Sequence, residues 1–190
     1  MAGPLPQSLI AKDLRADARD NRDRLLTAAR AVFAAEGLDV PLREIARRAG
    51  VGPATLYRHF PTKQALVTEA FAEQMRACLA VIEEGLAAAD PWQGLCTAIT
   101  ELCALHARDW GLAAAFPHAD LTAARSRSVA ALADLASRAR ATGKLRPDIT
   151  MEDLILMLAA NAGLRATSPD ARAAASRRFA ELTIRAVSAR

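Results

Sequence analysis

The stretch Arg43-Glu44-Ile45-Ala46-Arg47-Arg48-Ala49-Gly50-Val51-Gly52-Pro53-Ala54-Thr55-Leu56-Tyr57-Arg58-His59-Phe60 reads as two short helices joined by a tight turn. Pro41 opens the first and Gly50 ends it; Gly52-Pro53 opens the second, which Pro61 closes. Proline suits the first turn of a helix, where its missing N–H is not needed, and glycine tolerates both a cap and a left-handed backbone. Two helices of about eight residues at this separation have helix-turn-helix dimensions. Ala46 is small where the helices would cross, Val51 and Leu56 can plug the gap, and Ile45 and Ala49 lie beneath them. An ordinary helical corner uses the same turn chemistry, so the turn alone leaves both readings open.

On the N-terminal side, Leu25, Leu26, Ala29, Val32 and Phe33 recur at helical spacing from about Asn21 to Glu36, and Gly37 follows as a terminator. Val32 and Phe33 are the expected third wall of the helix pair. Residues 1–16 hold Pro4 and Pro6 and no sustained period, and are expected to form a flexible arm. On the C-terminal side Thr62 caps a long helix expected to reach Ala88, and Asp90-Pro91 caps the next, to about Arg108. Trp110 to Pro117 shows no clean period. A helix is expected from about Leu121 to Ala141. Thr150-Met151-Glu152-Asp153 has the form of a capping box opening a helix to about Ala166, and Ser168-Pro169 opens the last. The sum is about nine helices, with no strand signal and no internal repeat.

Composition agrees. Of 190 residues, 46 are Ala and 24 Leu against 14 Val plus Ile and 8 aromatics, a balance that favours helix over sheet. The fold class is therefore all-α. The longest apolar run, Leu154–Ala160, is far short of a membrane span, and no membrane association is expected. The first ten residues lack the basic start of a signal peptide, so the expected location is cytoplasmic. The net charge of +4 is unevenly placed: residues 1–68 carry 11 Lys/Arg against 7 Asp/Glu, whereas residues 69–190 carry 14 of each. Between Arg43 and Lys63 five basic residues face Glu44 alone. A basic block beside a neutral body suits a nucleic-acid-binding module, although a solvated charged face would look similar.

The stretch Arg30-Ala31-Val32-Phe33, Gly37, Arg43 to Val51, Thr55-Leu56-Tyr57-Arg58-His59-Phe60 and Lys63 resembles the DNA-binding domain of TetR/AcrR-type regulators over about 45 residues. The resemblance implies an all-helical homodimer with a three-helix N-terminal head, here residues 17–63. It also implies a C-terminal ligand-binding and dimerisation domain, here residues 64–190. Thr55, Tyr57, His59 and Lys63 match the family's phosphate-binding positions; such contacts set register without reading sequence. Arg43 and Arg58 stand where a guanidinium can fork onto a guanine edge or hold phosphate. The family often places Ser or Thr at the caps occupied here by Pro41 and Gly52; Gly52, Pro53 and Ala54 offer no side-chain donor, so readout there needs close approach, thymine-methyl contact or DNA shape.

In the C-terminal part, Phe71, Met75 and Leu79 recur at i, i+4, i+8, and Ile99, Leu102, Cys103 and His106 follow on the next helix. With Trp110, Phe116, Met157 and Asn161 they are candidate walls of a pocket for a small apolar or aromatic ligand, although each suits a packed core equally. His106, Asn161 and Cys103 are the possible polar anchors. Leu154 and Leu158, with Ala175, Phe179, Leu182 and Ala186, which Ala189 extends into a 4-3-4-3 stripe, are candidates for a four-helix dimer interface.

Three dispersed histidines give no metal spacing, and no phosphate loop or nucleophile elbow is present, so neither an enzyme nor a cofactor or metal site is expected. Cys96 and Cys103 lie ~10.5 Å apart along one helix and cannot bond to each other. All three cysteines read as small buried hydrophobes, with redox sensing as the alternative. The expected function is a dimeric DNA-binding regulator, a repressor released from a pseudo-palindromic double-stranded operator by a small ligand. A helical protein–protein adaptor and a small-molecule-binding protein without operator binding are the competing readings.

Overall fold

In the computed structural model, which describes residues 7–108 and 122–189, nine helices follow one another, and one isolated bridge joins Leu145 to Ser188. They are α1 (Gln7–Glu36), α2 (Leu42–Ala49), α3 (Pro53–His59), α4 (Lys63–Ala70), α5 (Ala72–Ala87), α6 (Pro91–Arg108), α7 (Thr122–Ala141), α8 (Met151–Ala162) and α9 (Pro169–Val187). The chain divides into two units, Met1–Ala70 and Phe71–Arg190.

In the first unit, α1 packs against α2, α3 and α4. Leu25, Ala29, Val32 and Phe33 of α1 are fully buried, as are Ile45 and Ala46 of α2, Leu56 of α3 and Leu66 of α4. Gly50 ends α2 in the left-handed region (φ 64°), and the Val51 N–H returns to the Ala46 carbonyl at 3.0 Å, satisfying a carbonyl that the helix end would leave open. Gly52 caps α3, with Pro53 in its first turn. α1 begins at Gln7, inside the stretch expected to be an arm. After Pro6 the chain is rich in Ala, Leu and Arg without Gly or Pro, and that propensity extends the helix where no apolar period announces it.

The single long helix expected from Thr62 to Ala88 is two. Thr62 does cap the first, accepting from the Ala65 N–H at 3.1 Å. Phe71 then leaves helical geometry (φ −111°, ψ 7°), and α5 starts at Ala72. At the break Arg30 Nη1 donates to the Ala70 carbonyl at 3.3 Å. A side chain inserted at the helical ladder is one of the few causes of a sharp break.

The second unit is organised about α6, which touches α5, α7, α8 and α9 and buries residues around most of its circumference, Trp92, Leu95, Ala98, Ile99, Leu102, Cys103 and His106 among them. α5 and α6 meet glycine to glycine: a Cβ on Gly85 would stand 2.9 Å from the Gly94 carbonyl oxygen and 2.8 Å from a Leu135 methyl. Two glycines in helix interiors sacrifice propensity for this close backbone approach. Asp90 caps α6 through the Trp92 N–H (2.9 Å), Thr150 and Asp153 form a reciprocal capping box on α8, and Ser168 accepts from Ala171 N–H at the start of α9. α8 stops at Ala162 rather than Ala166, its end bonded back from Gly163 to the Ala160 carbonyl.

Candidate functional site

The short helices α2 and α3 bury one face each and leave the other to solvent. On α2, Arg43 is exposed and has no ion pair among the described residues. Arg47 holds Glu44 with two hydrogen bonds of 2.9 and 2.7 Å, and Arg48 Nε donates to the same carboxylate at 2.8 Å while its Nη2 pairs with Glu36 of α1. Hydrogen bonds from Arg47 first, and Arg48 second, bring the Glu44 carboxyl down to about 2. The five-to-one basic excess read from the sequence is therefore smaller in space, because Glu36 approaches from a distant position and two of the five arginine and lysine charges are balanced locally.

Gly52, Pro53 and Ala54 are exposed at the start of α3. Thr55 is half-buried and accepts a hydrogen bond from Arg58 Nη2 at 3.0 Å, which leaves the threonine hydroxyl proton available. Tyr57 is 52% exposed, unusual for so large an aromatic, while its neighbour Leu56 is wholly buried. His59 is half-buried with its ring beside that of buried Phe60, and Lys63 stands half-exposed at the start of α4. The unit thus presents Arg43, Tyr57, Arg58 and Lys63 on its surface.

Sequence reasoning does not single out the residues that hold this surface in place. Arg24 of α1 donates through Nη2 to the Gly50 carbonyl at 3.0 Å. Arg22 pairs with Glu69 of α4 and places its guanidinium carbon 5.8 Å from the centre of the Phe60 ring. These partners lie dozens of residues away, and no local spacing marks them.

The candidate ligand residues divide. Ile99, Cys103 and Met157 line a cavity of about 10 Å³ with Leu132, Leu154, Leu158, Phe179 and Thr183. Leu102 and His106 line a second, of about 20 Å³, with Cys78 and Ile82 of α5, Ser128, Val129 and Leu132 of α7, and Ile155 and Leu158 of α8. Phe71 and Met75 are buried but reach neither cavity, and Leu79 is only half-buried. The inward row of α5 is Met75, Cys78 and Ile82, so the i, i+4, i+8 row read from the sequence gives way after Met75 to an i, i+3, i+7 row. Asn161 is not a free anchor: its Nδ2 donates to the Cys103 carbonyl at 2.9 Å, and Ser176 Oγ lies 2.9 Å from both that carbonyl and Asn161 Oδ1. This buried trio ties α6, α8 and α9 together. Trp110 and Phe116 lie outside the described residues.

Of the expected dimer residues, Leu154 and Leu158 are buried in the chain's own core (3% and 7% exposed), so they offer a partner no surface. The whole-circumference apolar run of α8 faces α6 on one side, and its other side exposes Leu156 (67%). On α9, Ala175 and Phe179 are half-buried, and Leu182 and Ala186 are exposed. Burial pushes the Cys103 thiol up to about 12 and raises Cys96, which opposes the thiolate that redox chemistry needs. Among the described residues no His, Cys, Asp and Glu cluster could hold a metal, and no helix is long and apolar enough to cross a membrane.

A left-handed glycine turn between two short helices, with an exposed polar face on the second, has the form of a helix-turn-helix. The chain belongs to the TetR family of bacterial transcription regulators. Residues 25–70 match bacterial regulatory proteins of the tetR family, and residues 90–186 match the C-terminal domain of SbtR-like transcriptional regulators. The chain is 32% identical to a TetR transcriptional regulator of Streptomyces coelicolor, covering 88% of this chain and 98% of that one (TM-score 0.54). It is 34% identical to a TetR transcription regulatory protein of Mycobacterium vanbaalenii, over 93% and 99% (TM-score 0.52). An HTH-type transcriptional regulator of Staphylococcus aureus (strain USA300) is 41% identical over 54 residues, a match spanning 28% of this chain and 29% of that protein. The ketosteroid regulator KstR2 of Mycobacterium tuberculosis, 18% identical over 89% of this chain and 95% of its own (TM-score 0.70), shares the fold. The protein is a DNA-binding transcription regulator of this family, a family of regulators and not of enzymes.

Proposed function

We propose that this regulator is a homodimeric repressor that binds a pseudo-palindromic operator and leaves it when a small apolar ligand enters the body. The observation that carries the reading is the exposure of Tyr57 on α3, next to Arg58 and six residues before Lys63, in a unit where Arg47 and Arg48 are already neutralised. Lys63, Tyr57, Thr55 and His59 hold phosphates; Arg43 and Arg58 are the base-reading candidates; Gly52, Pro53 and Ala54 allow close approach to the groove. Exposed Leu156 and Leu182, on adjacent helices, support a dimer face of α8 and α9. Two-fold symmetry in the protein is mirrored in the operator.

The ligand part of the reading rests on the apolar cavity beside His106 and Ser128. At about 20 Å³ it is far below the volume of a small molecule. A ligand would spread α5, α7 and α8 to enter, and it would weaken DNA binding only by preferring the spread state. Footprinting of the DNA upstream of the protein's own gene, with sedimentation of the free protein, tests the proposal. A protected inverted repeat and a dimer at micromolar concentration are expected. A monomer, or the absence of any protected site, would overturn it.

A further inference from the structure

We propose that the second unit carries an anion-binding site, a groove between α6 and the start of α9 that accepts a small organic acid, with its carboxylate or phosphate on arginine and its apolar body on alanine. This goes beyond the apolar-cavity reading and does not depend on it. The groove has a volume of about 680 Å³, against about 10 and 20 Å³ for the cavities inside the unit. Small-molecule sites typically occupy ~300–1,000 Å³, so this groove alone of the three takes such a ligand without rearrangement.

The sequence makes the space. Ala104 and Ala107, one turn apart on α6, face Ala173 on α9, and three methyl groups stand where longer side chains would fill the gap. Arg108, Arg172 and Arg177 line the same groove against a single acid, Glu101. This is a local excess in a stretch, residues 69–190, that holds 14 basic and 14 acidic residues. Elsewhere in the unit four cations sit on carboxylates, Arg138 on Asp134, Lys144 on Asp90, Arg146 on Asp148 and Arg178 on Glu181, and Arg76 and Arg140 donate to backbone carbonyls. Arg108 and Arg177 have no ion pair among the described residues, Glu101 included. A guanidinium fork matches a planar carboxylate or a phosphate with two parallel hydrogen bonds, and its stem lies well on an apolar ligand body.

The groove is also separate from the proposed dimer face. Along α9, Ala173 and Arg177 fall on one side of the buried row Ser176, Ala180 and Thr183, and Leu182 and Ala186 fall on the other. A second copy seated on Leu182 leaves the groove open.

The test titrates the full-length protein, without DNA, with 2-naphthoate, 2-naphthyl phosphate and neutral 2-naphthol by isothermal calorimetry. Saturable binding of at least one anion is expected, and no heat from the alcohol at equal concentration. Binding of one anion alone supports the site and names its headgroup. The double variant Arg108→Ala/Arg177→Ala changes two exposed side chains and should weaken the anion by about tenfold or more. Ala173→Leu should abolish binding by filling the floor, with circular dichroism confirming unchanged helix content in both variants. The proposal is overturned if neither anion saturates, if 2-naphthol binds as tightly, or if a folded variant keeps the wild-type affinity.

Discussion

Arg24 Nη2 donates to the Gly50 carbonyl at 3.0 Å, fastening α1 to the left-handed residue of the helix-turn-helix turn. Two constraints therefore meet at Gly50: its φ of 64° disfavours any side chain, and a Cβ there would stand 2.7 Å from the same Arg24 nitrogen.

Gly50→Ala should destabilise the protein by roughly 2–3 kcal/mol, the sum of left-handed strain and a displaced hydrogen bond. In an Arg24→Ala background the same substitution should cost less, because the clash and the bond have already gone. A double-mutant cycle by urea denaturation measures this coupling. Strict additivity would show that Arg24 and the Gly50 position are not coupled.

Tyr57→Ala and Lys63→Ala should weaken binding to specific and random DNA alike, and Lys63→Ala should lower the slope of log K against log salt by about one. Arg43→Ala should also relax preference at one base position, worth about 1–3 kcal/mol. Fluorescence anisotropy at several salt concentrations, on operator and scrambled duplexes, separates the two behaviours. Unchanged operator affinity in the Tyr57→Ala/Lys63→Ala double variant would refute the phosphate assignment.

Helix punctuation was the most legible part of this chain, because its chemistry is local. Gly50, Gly52-Pro53, Asp90-Pro91, the Thr150–Asp153 box and Ser168-Pro169 all stand at the boundaries they mark. Long-range contacts were not legible. The break at Phe71 has no Gly or Pro and coincides with a bond from Arg30, forty residues earlier, to the Ala70 carbonyl. The pairing of Arg48 with Glu36 and of Arg24 with Gly50 is likewise set by how α1 lies on α2. An apolar run such as Leu154–Ala160 says that a helix must be covered, but not which residue faces its own core and which a partner.

That distinction predicts opposite outcomes on the two faces of α8. Leu156→Arg and Leu182→Arg, at exposed positions, should convert a dimer to folded monomers. Leu158→Arg places an unpaired charge in the core and should unfold the chain instead, at a cost of several kcal/mol. Analytical ultracentrifugation with circular dichroism distinguishes folded monomer from unfolded chain.

The buried trio of Cys103 carbonyl, Asn161 and Ser176 should behave as a unit. Ser176→Ala removes the hydroxyl donor bonded within this trio and should cost about 1–3 kcal/mol. Asn161→Leu/Ser176→Ala, which removes both side-chain partners, should cost less than the sum of the single changes. Thermal melts of the four proteins test this, and full additivity would mean the trio is not coupled.

Glu44 links stability, pH and DNA selectivity through one carboxylate. Its folded value of about 2 lies below the ordinary 4.5, chiefly because Arg47 and then Arg48 donate to it. A depressed carboxyl contributes stability that is fully present above 4.5 and is lost as pH falls from there through 2. Glu44→Gln should therefore flatten the acid-unfolding profile across that window while leaving the neutral-pH fold intact. The same change strips Arg47 and Arg48 of their shared counter-charge on a helix beside the recognition helix. Affinity for random duplex should rise, with a salt slope steeper by about one to two as one or both guanidiniums reach phosphate. Operator affinity should rise less, so the ratio of specific to non-specific binding falls. An unchanged slope on random DNA, in a variant whose acid profile has flattened as expected, would mean that Arg47 and Arg48 do not reach the duplex and that Glu44 serves the fold alone.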